Sequence, residues 1–265
     1  MAYEKINLLN VEFDNLTMDE LLRDFNEGVL STMHVDSIMR LQKDRELYSY
    51  IKHYDIITCD SQILCFASKW LGTPFKERVS GSDYFPRFCE YHKDNPDITI
   101  FICGGREGVA EIAQDKVNAR TGRDIIIDTY SPPFDFDQDP EEIDRMVERI
   151  NESKATVLML CLSAGKQEKF LVANKDRFTQ ARMILPLGGT VDYEAEALKR
   201  PPAWVTNLGF EWLYRLVKEP RQRWHRYIVH EPPVLWLLLK QRFGWYKNPF
   251  PDLGPHRPSL DPQPE

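Results

Sequence analysis

Four short segments hold the residues with the most chemical capacity, and each follows an apolar run. They are Asp60, after DIITC; Gly104-Gly105-Arg106, after ITIFIC; Gly165-Lys166-Gln167-Glu168, after ATVLMLCL; and Gly188-Gly189-Thr190, after MILPL. A carboxylate such as Asp60 can take the proton of a sugar hydroxyl. A glycine pair lets backbone N–H groups approach a phosphate, and Arg106 adds charge beside it. Lys166 and Gln167 suit phosphate or sugar oxygens. Each segment also has a purely structural reading. Asp60 would cap the next helix, Gly104-Gly105 would form a tight strand-to-helix turn, and the 165–168 segment would open an exposed helix. Residue types alone leave both readings open. GGREG does not match the dinucleotide fingerprint G-x-G-x-x-G.

The elements that must position these residues alternate short β-rich runs with longer amphipathic stretches, the pattern of an α/β fold with a mostly parallel sheet. Strands are expected at 55–59, 98–103, 124–129, 155–162 and 183–187. Helices are expected at 61–71, with Asp60 as N-cap and Gly72 as stop, near Gly108, at 141–152 and at 167–177. Thr17 reads as a further N-cap. Ligands of such sheets gather at the carboxyl ends of the strands, where all four segments fall. A core of residues 1–204 is expected, then an appendage over 205–248, then a disordered tail over 249–265 rich in proline and polar groups.

Composition narrows the function. The net charge of −7 argues against a general nucleic-acid binder. Residues 199–247 nevertheless carry ten Lys/Arg against three Asp/Glu, with Trp204, Trp212, Trp224, Trp236 and Trp245 interleaved. Such a segment reads as a solvated face, a nucleic-acid platform or a surface for a lipid-linked diphosphate; interleaved Trp and Arg fit the last best. The apolar run 234–239 is far shorter than a spanning helix, and no signal segment opens the chain, so a cytoplasmic protein with peripheral membrane contact is expected. The five cysteines form no C-x-x-C pair and read as reduced core thiols. Asp135-Phe136-Asp137 matches the short D-x-D pattern of metal-dependent glycosyltransferases, while Asp139-Pro140-Glu141-Glu142 beside it reads as a helix start.

Seven segments, taken together and in order, resemble the WecG/TagA/CpsF family of bacterial glycosyltransferases. They are STMHVDSIMRL, CDSQ, ERVSGSDYF, IFICGGREGVAE, GKQEKF, LGGTVDYEAEALKRPPAW and GFEWLYRLVKEP, spread over residues 31–245. The resemblance implies a Rossmann-like core whose C-terminal appendage completes the active site at the inner face of the cytoplasmic membrane. It implies inverting transfer of a sugar from a UDP-sugar to a glycan on a polyprenyl diphosphate, for cell-wall, capsule or exopolysaccharide assembly. No divalent metal or other cofactor is implied, and self-association is linked to membrane activation.

By position, Asp60 matches the general base and Gln167 a glutamine beside the substrate. Thr32 matches the threonine of T-x-N-A-E, and Arg78 an arginine before the G-x-D segment that ends at Asp83. Arg215 matches the arginine of EWxYRL, suited to charge developing on the leaving diphosphate. Gly104, Gly105, Gly188, Gly189 and Asp192 match segments lining the nucleotide pocket; Arg106, Lys166 and Glu168 stand beside them. The sequence departs at three places. His34 replaces the Asn of T-x-N-A-E and could share or replace the base role. CLSAGKQE lacks the proline of G-x-G-x-P-K-Q-E. Gln222 and His225 stand where arginines are expected, flanked by Arg221, Arg223 and Arg226. The competing readings are a Rossmann-type oxidoreductase and a non-catalytic membrane adaptor.

Overall fold

A computed structural model of the chain describes residues 3–253. Residues 254–265, most of the expected tail, lie outside the described residues. The strands are β1 (Lys5–Leu8), β2 (Val11–Asp14), β3 (Gly28–Met33), β4 (Ile56–Cys59), β5 (Ile100–Gly104), β6 (Ile126–Tyr130), β7 (Val157–Cys161) and β8 (Met183–Pro186). Strands β1 and β2 form a hairpin; the other six form one sheet in the order β4-β3-β8-β7-β5-β6. The pairings of β3 with β8, β8 with β7, β7 with β5 and β5 with β6 are parallel. This is the expected α/β, Rossmann-like architecture, and a helical C-terminal region comes after it.

The chain divides into two compact units that interleave along the sequence. The first comprises Met1–Met18, Thr32–Ser80 and Arg200–Glu265; the second comprises Asp19–Ser31 and Gly81–Lys199. The C-terminal region therefore belongs to the same unit as Asp60 and His34.

In the second unit, every residue of β5, β7 and β8 is buried. Strands covered on both faces need continuous apolar runs, which is why VLMLC and IFICG were legible as strands. The helices Gly81–Tyr91, Val109–Thr121, Pro140–Ser153 and Lys166–Asn174 accompany them. Asp139 caps the third of these, its side chain accepting from Glu141 N at 3.0 Å, with Pro140 at the first position as expected.

In the first unit, the β1–β2 hairpin turns at Leu9-Asn10, with Leu9 at φ 56°. That conformation is unfavourable for leucine. It is fixed from the C-terminal region: Leu9 N donates to Gln241 Oε1 at 2.8 Å. The Tyr48 hydroxyl donates to Asn10 O, and the Phe250 ring packs against Tyr48 at 5.6 Å. Asp14 Oδ2 accepts from Ile57 N at 2.8 Å, tying the hairpin to β4.

The helix after β4 spans Gln62–Leu71 and stops at Gly72, φ 87°, as expected. Its N-cap is Ser61, not Asp60: Ser61 is extended and its Oγ accepts from Leu64 N. Asp60 lies one residue further out: its N–H donates to Met33 O at 2.8 Å, and its carboxylate pairs with Arg78. All five cysteines are free and buried, with Cys59 and Cys65 Sγ 3.8 Å apart.

Gly104 ends β5 at φ 115°, and a Cβ there would lie 2.5 Å from the carbonyl carbon and oxygen of Cys161. Gly104→Ala is expected to destabilise the fold by about 3 kcal/mol, from backbone strain plus overpacking against a strand. Gly122→Ala has φ 73° but open space around its Cβ, and should cost only about 1 kcal/mol. Urea midpoints of the two variants measure the difference.

Candidate active site

In the first unit, Thr32 lies in β3 and His34 comes just after it, while Asp60 follows the neighbouring β4. The Asp60 N–Met33 O bond holds these two strand ends side by side. The Asp60 carboxylate meets Arg78: Nη1 lies 3.1 Å from Oδ1, and both side chains are mostly buried at 23% and 17% exposure. Arg78 arrives because Val79 N donates to Cys59 O at 3.0 Å, running that segment along the end of β4.

His34 is the N-cap of the helix Val35–Leu41. Its Nδ1 accepts from Ser37 N at 3.2 Å, and Arg226 Nη2 approaches the same atom at 3.4 Å. Burial, then the Arg226 charge, hold the imidazole down at about 3, with Asp36 opposing and Arg215 and Arg40 adding to the effect. The ring is therefore neutral at ordinary pH. With Nδ1 accepting, the hydrogen-bond network assigns the proton to Nε2. His34 is thus a donor at Nε2 and a poor base.

Beneath it lies Asp36, 3% exposed. Arg40 Nε donates to its Oδ2 at 2.9 Å, and His230 Nδ1 lies 2.9 Å from its Oδ1. Burial raises its pKa, but the charge of Arg226, then the charge and hydrogen bond of Arg40, outweigh that and leave it below the usual carboxylate value. Glu231, 9% exposed, takes Arg226 Nε at 2.7 Å. Burial raises the Glu231 carboxyl, and Arg226 pulls it back.

The C-terminal arginines arrive on consecutive short elements: Glu211–Lys218, Pro220–Trp224 and a π-helical stretch, His225–His230. Pro220 and the pair Pro232-Pro233 mark the breaks, as the sequence suggests. Arg215 pairs with Glu211 at 2.6 Å and Arg223 with Glu219 at 2.8 Å, both at i,i+4 spacing. Arg221 is exposed. The structure thus brings His34 and Arg226 together and places Asp60 with Arg78. Sequence reasoning missed Asp36, Glu231 and His230 entirely. The i,i+4 spacing of Glu211–Arg215 and Glu219–Arg223 was a readable signal for two of the pairs.

In the second unit, Gly105 N donates to Cys161 O at 2.9 Å and Gly188 N to Leu160 O at 3.1 Å. Both glycine turns therefore close over the end of β7. Gly105 also abuts Val191: a Cβ on it would lie 3.3 Å from a Val191 methyl. Arg106, from the same turn, reaches Asp192 at 3.0 Å, and Gly189 adjoins the Asp192 carboxylate. So Gly104, Gly105, Arg106, Gly189 and Asp192 form one cluster.

Gln167, in the first turn of Lys166–Asn174, is 7% exposed, and its Oε1 is buried without a hydrogen-bond partner. An orphaned acceptor of this kind is costly unless a ligand donates to it. Glu168 is used otherwise: its carboxylate takes Gly165 N at 2.5 Å and caps its own helix. Lys166 is also engaged elsewhere, donating to Phe134 O at 2.7 Å and pairing with Asp137 at 2.5 Å. The hydrogen bond from Lys166 holds the Asp137 carboxyl below its ordinary value. One carboxylate of the D-x-D stretch is therefore committed to Lys166, and Phe136 between the two is buried. Asp83 sits third in the helix Gly81–Tyr91, half-buried.

His34 gives a pH signature. Its folded-state pKa lies below the unfolded value, so its stabilising effect is complete above about 6.5 and is lost as pH falls from there towards about 3. His34→Asn should flatten the fall of stability over that window by at most about 1.4 kcal/mol per pH unit. Urea unfolding of both proteins at pH 7, 6 and 5 measures it; parallel curves would mean the ring is not held neutral.

A model of the family described as Glycosyl transferase WecG/TagA/CpsF matches residues 6–248. The match spans the glycine turns of the second unit and, in the first, both strand ends and the C-terminal arginines. The chain belongs to the WecG/TagA/CpsF family of glycosyltransferases.

Proposed function

We propose that this glycosyltransferase moves a hexosyl or N-acetylhexosaminyl group from a UDP-sugar to a glycan carried on a polyprenyl diphosphate, with inversion, in the assembly of a cell-wall or related surface polymer. The observation that carries the reading is the pairing at two adjacent strand ends. A carboxylate, Asp60, stands at one, and a neutral imidazole beside a half-buried guanidinium, His34 with Arg226, at the other.

Inverting transfer is a single displacement. The acceptor oxygen forms a bond to the anomeric carbon as the bond from that carbon to the β-phosphate oxygen breaks. The acceptor proton goes to Asp60, and the electron pair of the breaking bond leaves with UDP. One base is enough. His34 does not suit that task, because its Nδ1 lone pair is engaged and its Nε2 carries a proton. It suits donation to a sugar or phosphate oxygen. Arg215, Arg226, the half-buried Arg223 and the exposed Arg221 supply positive charge for the departing diphosphate. In the second unit, the turns at Gly104-Gly105 and Gly188-Gly189 suit the nucleotide, with Gln167 Oε1 as acceptor for a substrate N–H or O–H. Charge stabilisation by arginine makes a divalent metal dispensable in this scheme.

Membrane contact fits the C-terminal helix Pro233–Arg242 and the residues just beyond it. No helix among the described residues is long and apolar enough to cross a membrane. Leu235, Trp236, Phe243 and Trp245 are nonetheless more than half exposed, with Lys240 and Arg242 among them. Aromatic and basic residues together suit an anionic headgroup layer at the inner face of the cell membrane. Self-association is part of the same reading. Membership in a glycosyltransferase family displaces the oxidoreductase reading.

The test is UDP release from a panel of UDP-sugars with a polyprenyl-diphosphate-linked acceptor on vesicles. Turnover with at least one donor, unaffected by EDTA, is expected. Asp60→Asn should lower kcat by about 10²- to 10⁴-fold, the usual worth of a general base. No turnover with any donor overturns the reading and leaves the membrane adaptor in its place. Turnover that survives Asp60→Asn removes Asp60 from the base role.

A further inference from the structure

Asp36 has no part in the displacement just described, yet the groups around His34 are organised on it. It is the second residue of the helix that His34 caps. A carboxylate this enclosed is costly unless several charges compensate it. Arg40, one turn along the same helix, would meet the local need. Two further neighbours come from the far end of the chain. His230 Nδ1 lies 2.9 Å from Oδ1, and the Arg226 charge is the largest force holding the carboxyl ionised. Both belong to the π-helical stretch His225–His230, four residues apart. A π-helical turn is wider than an α-turn and recurs at functional sites. Glu231 then takes Arg226 Nε at 2.7 Å, which leaves Nη2 turned to His34 Nδ1 at 3.4 Å.

We propose that Asp36 is a positioning residue for the transfer: through its contact with His230 it holds the stretch His225–His230 against the helix that begins at His34, and so presets Arg226, carried on that stretch, and His34 as a donor pair for the sugar diphosphate. The nature of the leaving group rests on the UDP-sugar reading above. The positioning rests on the geometry. Asp36 touches neither substrate nor reacting atoms; it acts through Arg226 and His34. The arrangement also explains how Arg226, 192 residues from His34 in sequence, can complete a site at the end of β3. A single buried carboxylate gives that segment one register, because sliding it would strand the charge.

The experiment uses the full chain with the donor that supports turnover. Asp36→Asn keeps the shape and removes the charge; it should lower kcat by about 10- to 100-fold, the cost of misplaced catalytic groups, with KM for the donor changed less than threefold. Asp36→Glu should recover a large part of the loss. In an Arg226→Gln background, Asp36→Asn should have no further effect. An unchanged kcat in Asp36→Asn, an equal loss in both backgrounds, or no recovery in Asp36→Glu overturns the proposal.

A second readout needs no turnover. The imidazole ¹⁵N spectrum of His34, identified by its loss in His34→Asn, should show the Nε2–H form from pH 5 to 8 in the native protein and change in Asp36→Asn. An unchanged spectrum overturns the positioning. If no UDP-sugar turns over, the proposed reaction fails and the spectra alone decide the role of Asp36. If Asp36→Asn does not fold, His230→Ala, which leaves the Asp36–Arg40 pair intact, takes its place. A kcat and a His34 spectrum both identical to the native protein's would then overturn the proposal.

Discussion

Arg226 carries its charge where little water reaches, and the first unit is arranged around that fact. Its side chain is only 27% exposed, and burial works against the charged form. Glu231 and Asp36 restore it, one by contact and one by field. Those carboxylates in turn resist burial and are held by Arg40 and His230 as well as by Arg226. Breaking such a network by removing one member leaves an uncompensated buried charge, which costs far more than the network contributes in net stability. Its value is therefore specificity of arrangement. The contact of His230 with Asp36 marks where the C-terminal segment meets the helix Val35–Leu41. The depressed basicity of His34 comes first from burial and then from the Arg226 charge, with Asp36 opposing, not from any feature of the histidine itself.

The second unit solves a different problem with backbone alone. Strands β5, β7 and β8 are buried throughout, so polar function is confined to their ends. There the ladder closes through Gly105 N to Cys161 O and Gly188 N to Leu160 O. Gly104 must be glycine for two separate reasons, a left-handed φ and a Cys161 carbonyl standing where a Cβ would go. At Gly104 and Gly105 the space a side chain would take is occupied by the Cys161 carbonyl and by Val191. Glu168 supports the neighbouring turn by capping Gly165, which has no side chain to cap its own helix. A residue that reads as a substrate ligand thus works as scaffolding for Gln167, whose Oε1 is left for something else.

What could be read from the sequence divides along physical lines. Runs such as VLMLC declare themselves because burial on both faces demands unbroken apolarity. Asp139-Pro140 and Gly72 declare themselves because caps depend on neighbouring residues only. The β1–β2 hairpin was invisible: its turn is Leu9-Asn10, without the glycine that marks such turns, and it is fixed by Gln241 from 232 residues away. Strand β3 was missed because GVLSTM is only half apolar. The cap of the Gln62–Leu71 helix was misplaced by one residue because Asp60 and Ser61 are equally good caps in isolation. What separates them is long-range: the Asp60 carboxylate pairs with Arg78, while Ser61 Oγ accepts from Leu64 N. The same limit hid Asp36 and Glu231: nothing local distinguishes a buried carboxylate from a solvated one.

The arginine pairs carry the last step. Arg215–Glu211 and Arg223–Glu219 are partly exposed i,i+4 pairs, and such pairs contribute roughly 0–1 kcal/mol. An incoming diphosphate offers each arginine a denser charge and a two-pronged geometry. Exchanging Glu211 or Glu219 for a phosphate therefore costs little, while either carboxylate keeps its arginine ordered when the site is empty. Arg226 is different, because releasing Glu231 would leave a carboxylate that is 9% exposed without its partner. Under the proposed reaction, a diphosphate would recruit Arg215 and Arg223 by displacement but meet Arg226 as it stands, through the Nη2 edge beside His34. The Arg226–His34 pair rests on buried carboxylates, whereas the two helical pairs rest on partly exposed ones.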